Sequence, residues 1–143
     1  MNYAHDKLGL LYFEDGDWNA ENVSVPFVED SIGVSLRAGI GGGPSPAALS
    51  GYKWIEKNWK TVLSIVQDQA FQFYAPYADA FDGLPQFESP GELIGTERLC
   101  YLRVFSKEDF EVTVIFDWQV PGDEHEITFY VEGGECKTHC VDG

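Results

Sequence analysis

The sequence predicts a single α+β domain, in which a mainly antiparallel sheet of six or seven strands has one long helix packed across one face. Several segments have apolar residues at every second position, which is typical of half-buried strands. One segment, residues 46–74, has them at every third or fourth position, which indicates a helix. The length of 143 residues and the 44% hydrophobic content fit one core, so residues 1–143 are expected to form one domain.

The first third of the chain predicts a three-stranded meander over residues 8–14, 18–28 and 31–38. The Asp15-Gly16 pair is a strong hairpin signal between the first two segments. In the second segment Val23, Val25 and Phe27 alternate with polar residues or proline. Pro26 has no amide hydrogen to donate to a neighbouring strand, so this segment is expected at an edge or with a bulge.

The long helix is expected to begin at Ser45-Pro46, because serine caps free amide groups and proline is tolerated in the first turn. A continuous apolar stripe follows; it consists of Tyr52, Ile55, Trp59, Val62, Val66, Ala70 and Phe73. Pro76 is expected to limit the helix to about eight turns. A helix with such a wide apolar face is expected to cover the sheet.

After an irregular proline-rich loop, residues 75–95, the chain returns to strands. Residues 98–105 form one, with Cys100, Leu102 and Val104 on one face. Residues 110–132 predict a hairpin whose turn contains Pro121-Gly122. Its buried face consists of Val112, Val114, Phe116, Trp118, Ile127, Phe129 and Val131. Residues 136–141 form the last strand.

The net charge of −15 is the most unusual property of the composition. Such a field disfavours nucleic acids and anionic membranes as partners, and it favours a basic protein or a cation. Solubility alone is the simpler interpretation. The segment from Pro46 to Tyr74 has two acids and three bases, so the negative charge belongs to the strands and loops. Three cysteines without a secretory or membrane-spanning segment predict reduced thiols and a cytoplasmic protein.

An acidic turn is the candidate site, and it consists of Asp123, Glu124, His125 and Glu126. Asp117 lies one strand away, and Trp118 ends that strand. Carboxylates beside an imidazole are able to hold a cation or to move a proton. A solvated acidic turn without a function is the alternative. No nucleophile with a positioned base is recognisable, so an enzyme is the less favoured class and no catalytic residue or cofactor is predicted.

Cys136, His139 and Cys140 suggest a metal site at first sight. In a strand the two thiols share a face, but they lie about 13 Å apart at the usual rise per residue. That separation is too large for one disulfide or one zinc ion. No metal site is therefore predicted, and the role of these three residues stays open.

The stretch Trp118–Gly134, WQVPGDEHEITFYVEGG, together with the order of elements, resembles uncharacterised small bacterial α+β proteins. Some of those are proposed to be immunity proteins of polymorphic toxin systems. The resemblance implies a non-enzymatic binding role towards another protein. Our leading hypothesis is an acidic intracellular protein-binding module, an immunity-type inhibitor of a basic toxin or effector. The alternative hypothesis is a small cation-binding or hydrolytic protein that uses the acidic turn from Asp123 to Glu126.

Overall fold

The computed structural model describes residues 2–142 and has an α+β fold with eight strands and two α-helices. The strands are β1 (Asn2–His5), β2 (Gly9–Glu14), β3 (Asp17–Val23), β4 (Ile32–Arg37), β5 (Glu97–Val104), β6 (Phe110–Phe116), β7 (Ile127–Glu132) and β8 (Glu135–Val141). The helices are α1 (Pro46–Lys57) and α2 (Trp59–Ala80), and a short 3₁₀ helix spans Pro90–Leu93.

All eight strands form one sheet, in which the spatial order follows the chain order from β1 to β8. Neighbouring strands are antiparallel except β4 and β5, which are parallel. The sheet is therefore mixed and larger than the six or seven strands predicted. A parallel pair needs a crossover connection, and the two helices lie within it.

The first third of the chain contains four strands instead of three. The additional strand, β1, pairs with β2 from Asn2↔Tyr12 to His5↔Gly9. The predicted strand over residues 18–28 ends at Val23, after a register shift between Ala20 and Val23. Asn22 in this bulge has a φ of 54°, which an asparagine tolerates better than most residues.

The predicted single helix is interrupted at Asn58. The Asn58 side chain donates a hydrogen bond from Nδ2 to the Trp54 carbonyl oxygen at 2.9 Å, and its backbone φ of −126° is not helical. Asparagine side chains compete with the backbone in this way. The apolar periodicity continues across the break, which explains why the sequence predicted one helix.

Pro76 lies inside α2 and does not end it, contrary to the prediction. The last turns are held by Tyr77, whose hydroxyl donates to the Asp123 carbonyl oxygen at 3.0 Å and accepts from the Val120 amide at 2.7 Å. Tertiary contacts with the connection between β6 and β7 thus outweigh the local cost of proline. The loop predicted over residues 75–95 shortens accordingly.

The helices pack on one face of the sheet, as predicted, and the core lies between the two layers. Leu11, Val34, Leu102, Val112 and Phe129 are fully buried there. The predicted inward faces of β6 and β7 are confirmed, including Trp118 just beyond β6. Strand side chains of opposite parity point away from the helices and form the open face of the sheet.

Two bulges changed the predicted orientation of cysteines. A register shift between Leu99 and Tyr101 places Leu99, rather than Cys100, in the core. A second shift in β8 pairs Cys136 with Val131 but Cys140 with Thr128. Cys136 therefore faces the core side and Cys140 the open face, whereas a regular strand would place them together.

No helix within residues 2–142 combines the length and the apolar composition that a membrane span requires.

Candidate functional site

The open face of the sheet contains a shallow depression of about 540 Å³ that crosses strands β2 to β6. Most of its lining is polar or aromatic; the residues are Tyr12, Glu14, Asp15, Asp17, Asn19, Ala20, Glu21, Ser35, Tyr101, Arg103 and Glu111. Apart from Ala20, which is part of the hydrophobic core, these side chains lie outside the core.

An ion pair between Asp17 and Arg103 forms the floor of the depression. Arg103 Nε donates to Asp17 Oδ2 at 2.8 Å, and the Asp17 side chain is only 10% exposed. Asp17, the residue that follows the Asp15-Gly16 turn, is thus a buried carboxylate. The guanidinium carbon of Arg103 also lies over the ring of Phe105, 4.9 Å from its centre. This cation–π contact fixes the direction of the guanidinium.

A hydrogen-bonded row of neutral side chains lies next to the ion pair. Ser35 on β4 is buried and donates to Asn19 Oδ1, and its hydroxyl also contacts the Tyr101 hydroxyl. Asn19 in turn donates to the Asp17 carbonyl oxygen at 3.0 Å. The Tyr101 ring lies against Gly33, where an added Cβ would be 2.8 Å from the ring. Glycine at this position therefore allows the tyrosine to lie across β4.

Two more carboxylates form the rim. Glu111 on β6 is half-buried and lies 3.8 Å from Arg103 Nη1. Burial raises the pKa of Glu111; Arg103 opposes this shift and Asp17 adds to it. Glu21 accepts a hydrogen bond from the Tyr12 hydroxyl at 3.2 Å. The pKa of Glu111 is therefore raised because the effect of burial is larger than the opposing effect of Arg103.

The charge balance defines what this arrangement is able to do. The lining contains one guanidinium, that of Arg103, and five carboxylates, of which only Asp17 and Glu111 lie within 4 Å of it; the five are Glu14, Asp15, Asp17, Glu21 and Glu111. Tyrosine rings supply apolar surface between the charges. A depression with this lining is suited to accept a cationic side chain of another molecule.

The predicted binding residues lie elsewhere. Asp117 is exposed in the turn after β6, and its amide donates to the Thr96 carbonyl oxygen at 2.9 Å. Trp118 is 6% exposed and packs in an aromatic cluster with Phe73, Tyr74 and Phe116. Its indole nitrogen donates to Thr96 Oγ1 at 3.2 Å. Trp118 therefore belongs to the core, and only Asp117 of this pair offers its side chain to solvent.

The acidic turn over residues 123–126 is ordered by its backbone more than by its carboxylates. His125 donates its amide to Gln119 Oε1 at 2.7 Å, and its ring nitrogen Nδ1 lies 3.1 Å from the Asp142 carbonyl oxygen. Asp123 and Glu126 are exposed. Glu124 lies 3.9 Å from Arg98, an exposed and weak contact. Their proposed role in cation binding stays a prediction.

No group of three or more His, Cys, Asp or Glu side chains within residues 2–142 lies close enough to share a metal ion. The three cysteines are free thiols. His139 contacts α2 instead: its Nδ1 lies 2.6 Å from Gln69 Oε1, while Gln69 Nε2 donates to the Lys137 carbonyl oxygen. Burial lowers the pKa of His139. Cys136 packs against the core and His139 contacts α2, whereas Cys140 is exposed.

Sequence reasoning missed the depression, although part of its signal is visible. Glu111 and Thr113 alternate with buried valines, which places them on the outer face of β6. Asp17 and Arg103 are 86 positions apart, and their proximity depends on the parallel pairing of β4 with β5. Nothing in the local pattern of either segment indicates that pairing.

Comparisons with protein-family models, with curated proteins and with solved structures found no match to this chain. Only the geometry and the charge of the residues in the depression therefore indicate what it binds.

Proposed function

We propose that this protein is an acidic protein-binding module that holds a basic partner protein on the open face of its sheet. The observation behind this proposal is the lining of the depression, which contains five carboxylates and one guanidinium, that of Arg103. A basic surface would neutralise this excess of negative charge. The net charge of −15 would also accelerate the encounter with such a partner.

The surroundings of the depression fit a protein interface. Tyr12 is partly exposed at the rim, and Leu10, one position further along the same face of β2, is 66% exposed. Tyr101 and Tyr130 lie on the same face and are half-buried. Tyrosines are enriched at the centres of interfaces, where a ring supplies contact area and a hydroxyl supplies a hydrogen bond. The open face thus combines aromatic contact area with a charged centre.

Together with the resemblance of the Trp118–Gly134 stretch, this surface leads to a specific form of the proposal. The protein acts as an immunity-type inhibitor that covers a basic region of an intracellular toxin or effector. Such an inhibitor needs no catalytic residues, because it acts by occupying its target. The acidic open face supplies the complementary charge.

The proposal is tested by capture from native lysate on three immobilised proteins: the wild type, the double variant Asp17→Asn/Glu111→Gln, and the control Asp79→Asn. Asp79 is an exposed acid on α2, outside the depression. We expect a basic protein to bind the wild type and the control at about 50 mM salt, more weakly at about 500 mM, and not to bind the double variant. Equal capture by all three proteins, or no basic protein on any of them, would contradict the proposal.

A further inference from the structure

A groove of about 630 Å³ lies on the helix side of the sheet, between α1 and the hairpin of β1 and β2. Its lining consists of Tyr3, Ala4, His5, Asp6, Lys7, Leu49, Tyr52, Lys53, Glu56 and Lys57. None of these residues lines the acidic depression on the open face. The groove is therefore separate from the surface that we propose to bind a protein, and its volume lies in the range of small-molecule sites.

Two enclosed polar atoms in the wall of the groove have no hydrogen-bond partner among the described residues. They are Tyr52 Oη and Glu56 Oε2; Tyr52 is 1% exposed and the Glu56 side chain is 9% exposed. Burial raises the pKa of Tyr52, and the nearby Glu56 carboxylate adds to this shift, but the contact between the two groups does not have the geometry of a hydrogen bond. Buried polar atoms without a partner are rare, so these two indicate a missing ligand group.

The group that fits between these two atoms is a neutral hydroxyl rather than a cation. Lys7 Nζ already lies 2.6 Å from Glu56 Oε1 and would repel a second ammonium group. A hydroxyl is able to donate to Glu56 Oε2 and to accept from Tyr52 Oη at the same time. The Lys7 side chain is 53% exposed, so its rotation would give a ligand access to Oε2.

Two lysines of α1 supply positive charge beside the ion pair of Lys7 and Glu56. Lys53 and Lys57 both line the groove, and their spacing of four positions places them on the same face of the helix. Neither forms an ion pair with a described carboxylate. Two such ammonium groups suit an anion, and a phosphate monoester, with about −1.5 to −2 charges at pH 7, matches the pair.

The wall opposite α1 is held in place by His5. Its Nδ1 accepts hydrogen bonds from the amides of Lys7 and Leu8, both at 3.1 Å. Its ring lies edge-on to the ring of Tyr52, with 5.9 Å between the ring centres. Tyr3 adds a second aromatic ring to this wall. The hairpin therefore offers an ordered, partly aromatic surface to the flat side of a ligand ring.

From these features we propose that the groove binds a phosphorylated sugar. The phosphate lies at Lys53 and Lys57, and one sugar hydroxyl lies between Tyr52 Oη and Glu56 Oε2. The sugar ring packs against the ring of Tyr3. This site is independent of the proposed function, because the groove and the acidic depression share no residue.

The test is an NMR titration of the ¹⁵N-labelled full chain with glucose 6-phosphate, inorganic phosphate and glucose. We expect glucose 6-phosphate to shift the amide signals of residues 5–7 and 52–57, with an apparent Kd roughly three- to tenfold tighter than that of inorganic phosphate. Glucose should leave these signals in place at the same concentrations. Lys53→Gln should weaken the binding of both phosphate compounds. The control is Lys60→Gln, at an exposed lysine of α2 outside the groove, and it should not weaken binding.

Tyr52→Phe tests the hydroxyl contact separately from the phosphate contact. This variant should bind glucose 6-phosphate only as well as inorganic phosphate, and its affinity for inorganic phosphate should equal that of the wild type. The spectrum of each variant also shows directly whether it is folded.

Three results would overturn the inference. Equal affinities of the wild type for glucose 6-phosphate and inorganic phosphate would refute recognition of the sugar. Binding that persists unchanged in Lys53→Gln would refute the position of the phosphate. If none of the three compounds shifts the signals of the groove, the site itself is refuted. None of these results affects the capture of a basic protein on the open face.

Discussion

Arg103 on β5 donates a hydrogen bond to Asp17 on β3 across the intervening strand β4, with 2.8 Å between Nε and Oδ2. The pair therefore joins three adjacent strands on the open face, at the point where β4 and β5 run parallel. It also forms the floor of the acidic depression. The same two side chains therefore stabilise this part of the sheet and lie in the surface that we propose to bind the partner.

Replacing Arg103 by methionine should destabilise the fold. The buried Asp17 carboxylate would lose its cation, which we expect to cost about 1–3 kcal/mol of the free energy of unfolding. Urea unfolding measures this change. The matched control is Arg98→Met, because Arg98 is 54% exposed and 3.9 Å from its acid; its effect should be below about 1 kcal/mol. Equal losses of unfolding free energy in both variants would show that the ion pair with Asp17 contributes no more to stability than the exposed pair of Arg98.

Replacing Glu111 by glutamine should stabilise the protein at pH 7. Burial raises the pKa of Glu111 in the folded state above its ordinary 4.5, so the folded chain holds this proton more tightly than the unfolded chain. At pH values above its folded-state pKa, the charged Glu111 side chain therefore destabilises the folded chain. This destabilisation disappears at pH values below the ordinary pKa of the side chain. Urea unfolding at pH 7 and below about pH 4 should show a gain at the higher pH and none at the lower one. A variant less stable than the wild type at pH 7 would refute this explanation.

The thiols of β8 should differ strongly in reactivity. Burial raises the pKa of Cys136 to about 11, whereas Cys140 is exposed. At pH 8 the thiolate fraction of Cys136 should be roughly a hundredfold below that of an ordinary thiol. In a reaction with Ellman's reagent, Cys140 should therefore react first and Cys136 last. Cys140→Ser and Cys136→Ser assign the phases; a fast phase that disappears in Cys136→Ser would contradict the bulge in β8.

Gly51 in α1 should not tolerate alanine. A Cβ at this position would lie 2.6 Å from the carbonyl carbon of Ser106 and 2.8 Å from Val104 Cγ1. Alanine normally stabilises a helix relative to glycine by about 1 kcal/mol. Here overpacking should dominate and lower the unfolding free energy by about 1–3 kcal/mol. The neighbouring, exposed Ser50→Ala is the control and should be neutral or slightly stabilising in thermal melts.

The parts of the fold that follow from local periodicity were predictable from the sequence. The hairpin of β6 and β7 is an example, because Val112 and Phe129 alternate with polar residues and both are buried. The division of layers was also predictable, since the apolar stripe of the helices needs a sheet to cover.

Features that depend on single side chains or distant contacts were not predictable. Strand β1 has only four residues, and Asn58 interrupts a stripe that is otherwise continuous. Pro76 is accommodated because Tyr77 binds a loop more than forty residues away. Predicting the depression required knowing that Asp17 and Arg103 are in contact. The acidic turn was visible because its acids lie within four successive positions of the sequence.

Carboxylate footprinting of the complex with a captured basic protein identifies the face of the sheet that the partner covers. Carbodiimide labelling followed by mass spectrometry reports the accessibility of each Asp and Glu side chain. If the partner binds the open face, it should protect Glu14, Glu21 and Glu111 while Asp79 and Asp82 label as in the free protein. Protection of Asp123, Glu124 and Glu126, with Glu111 fully labelled, would instead place the binding site at the acidic turn and refute binding at the open face.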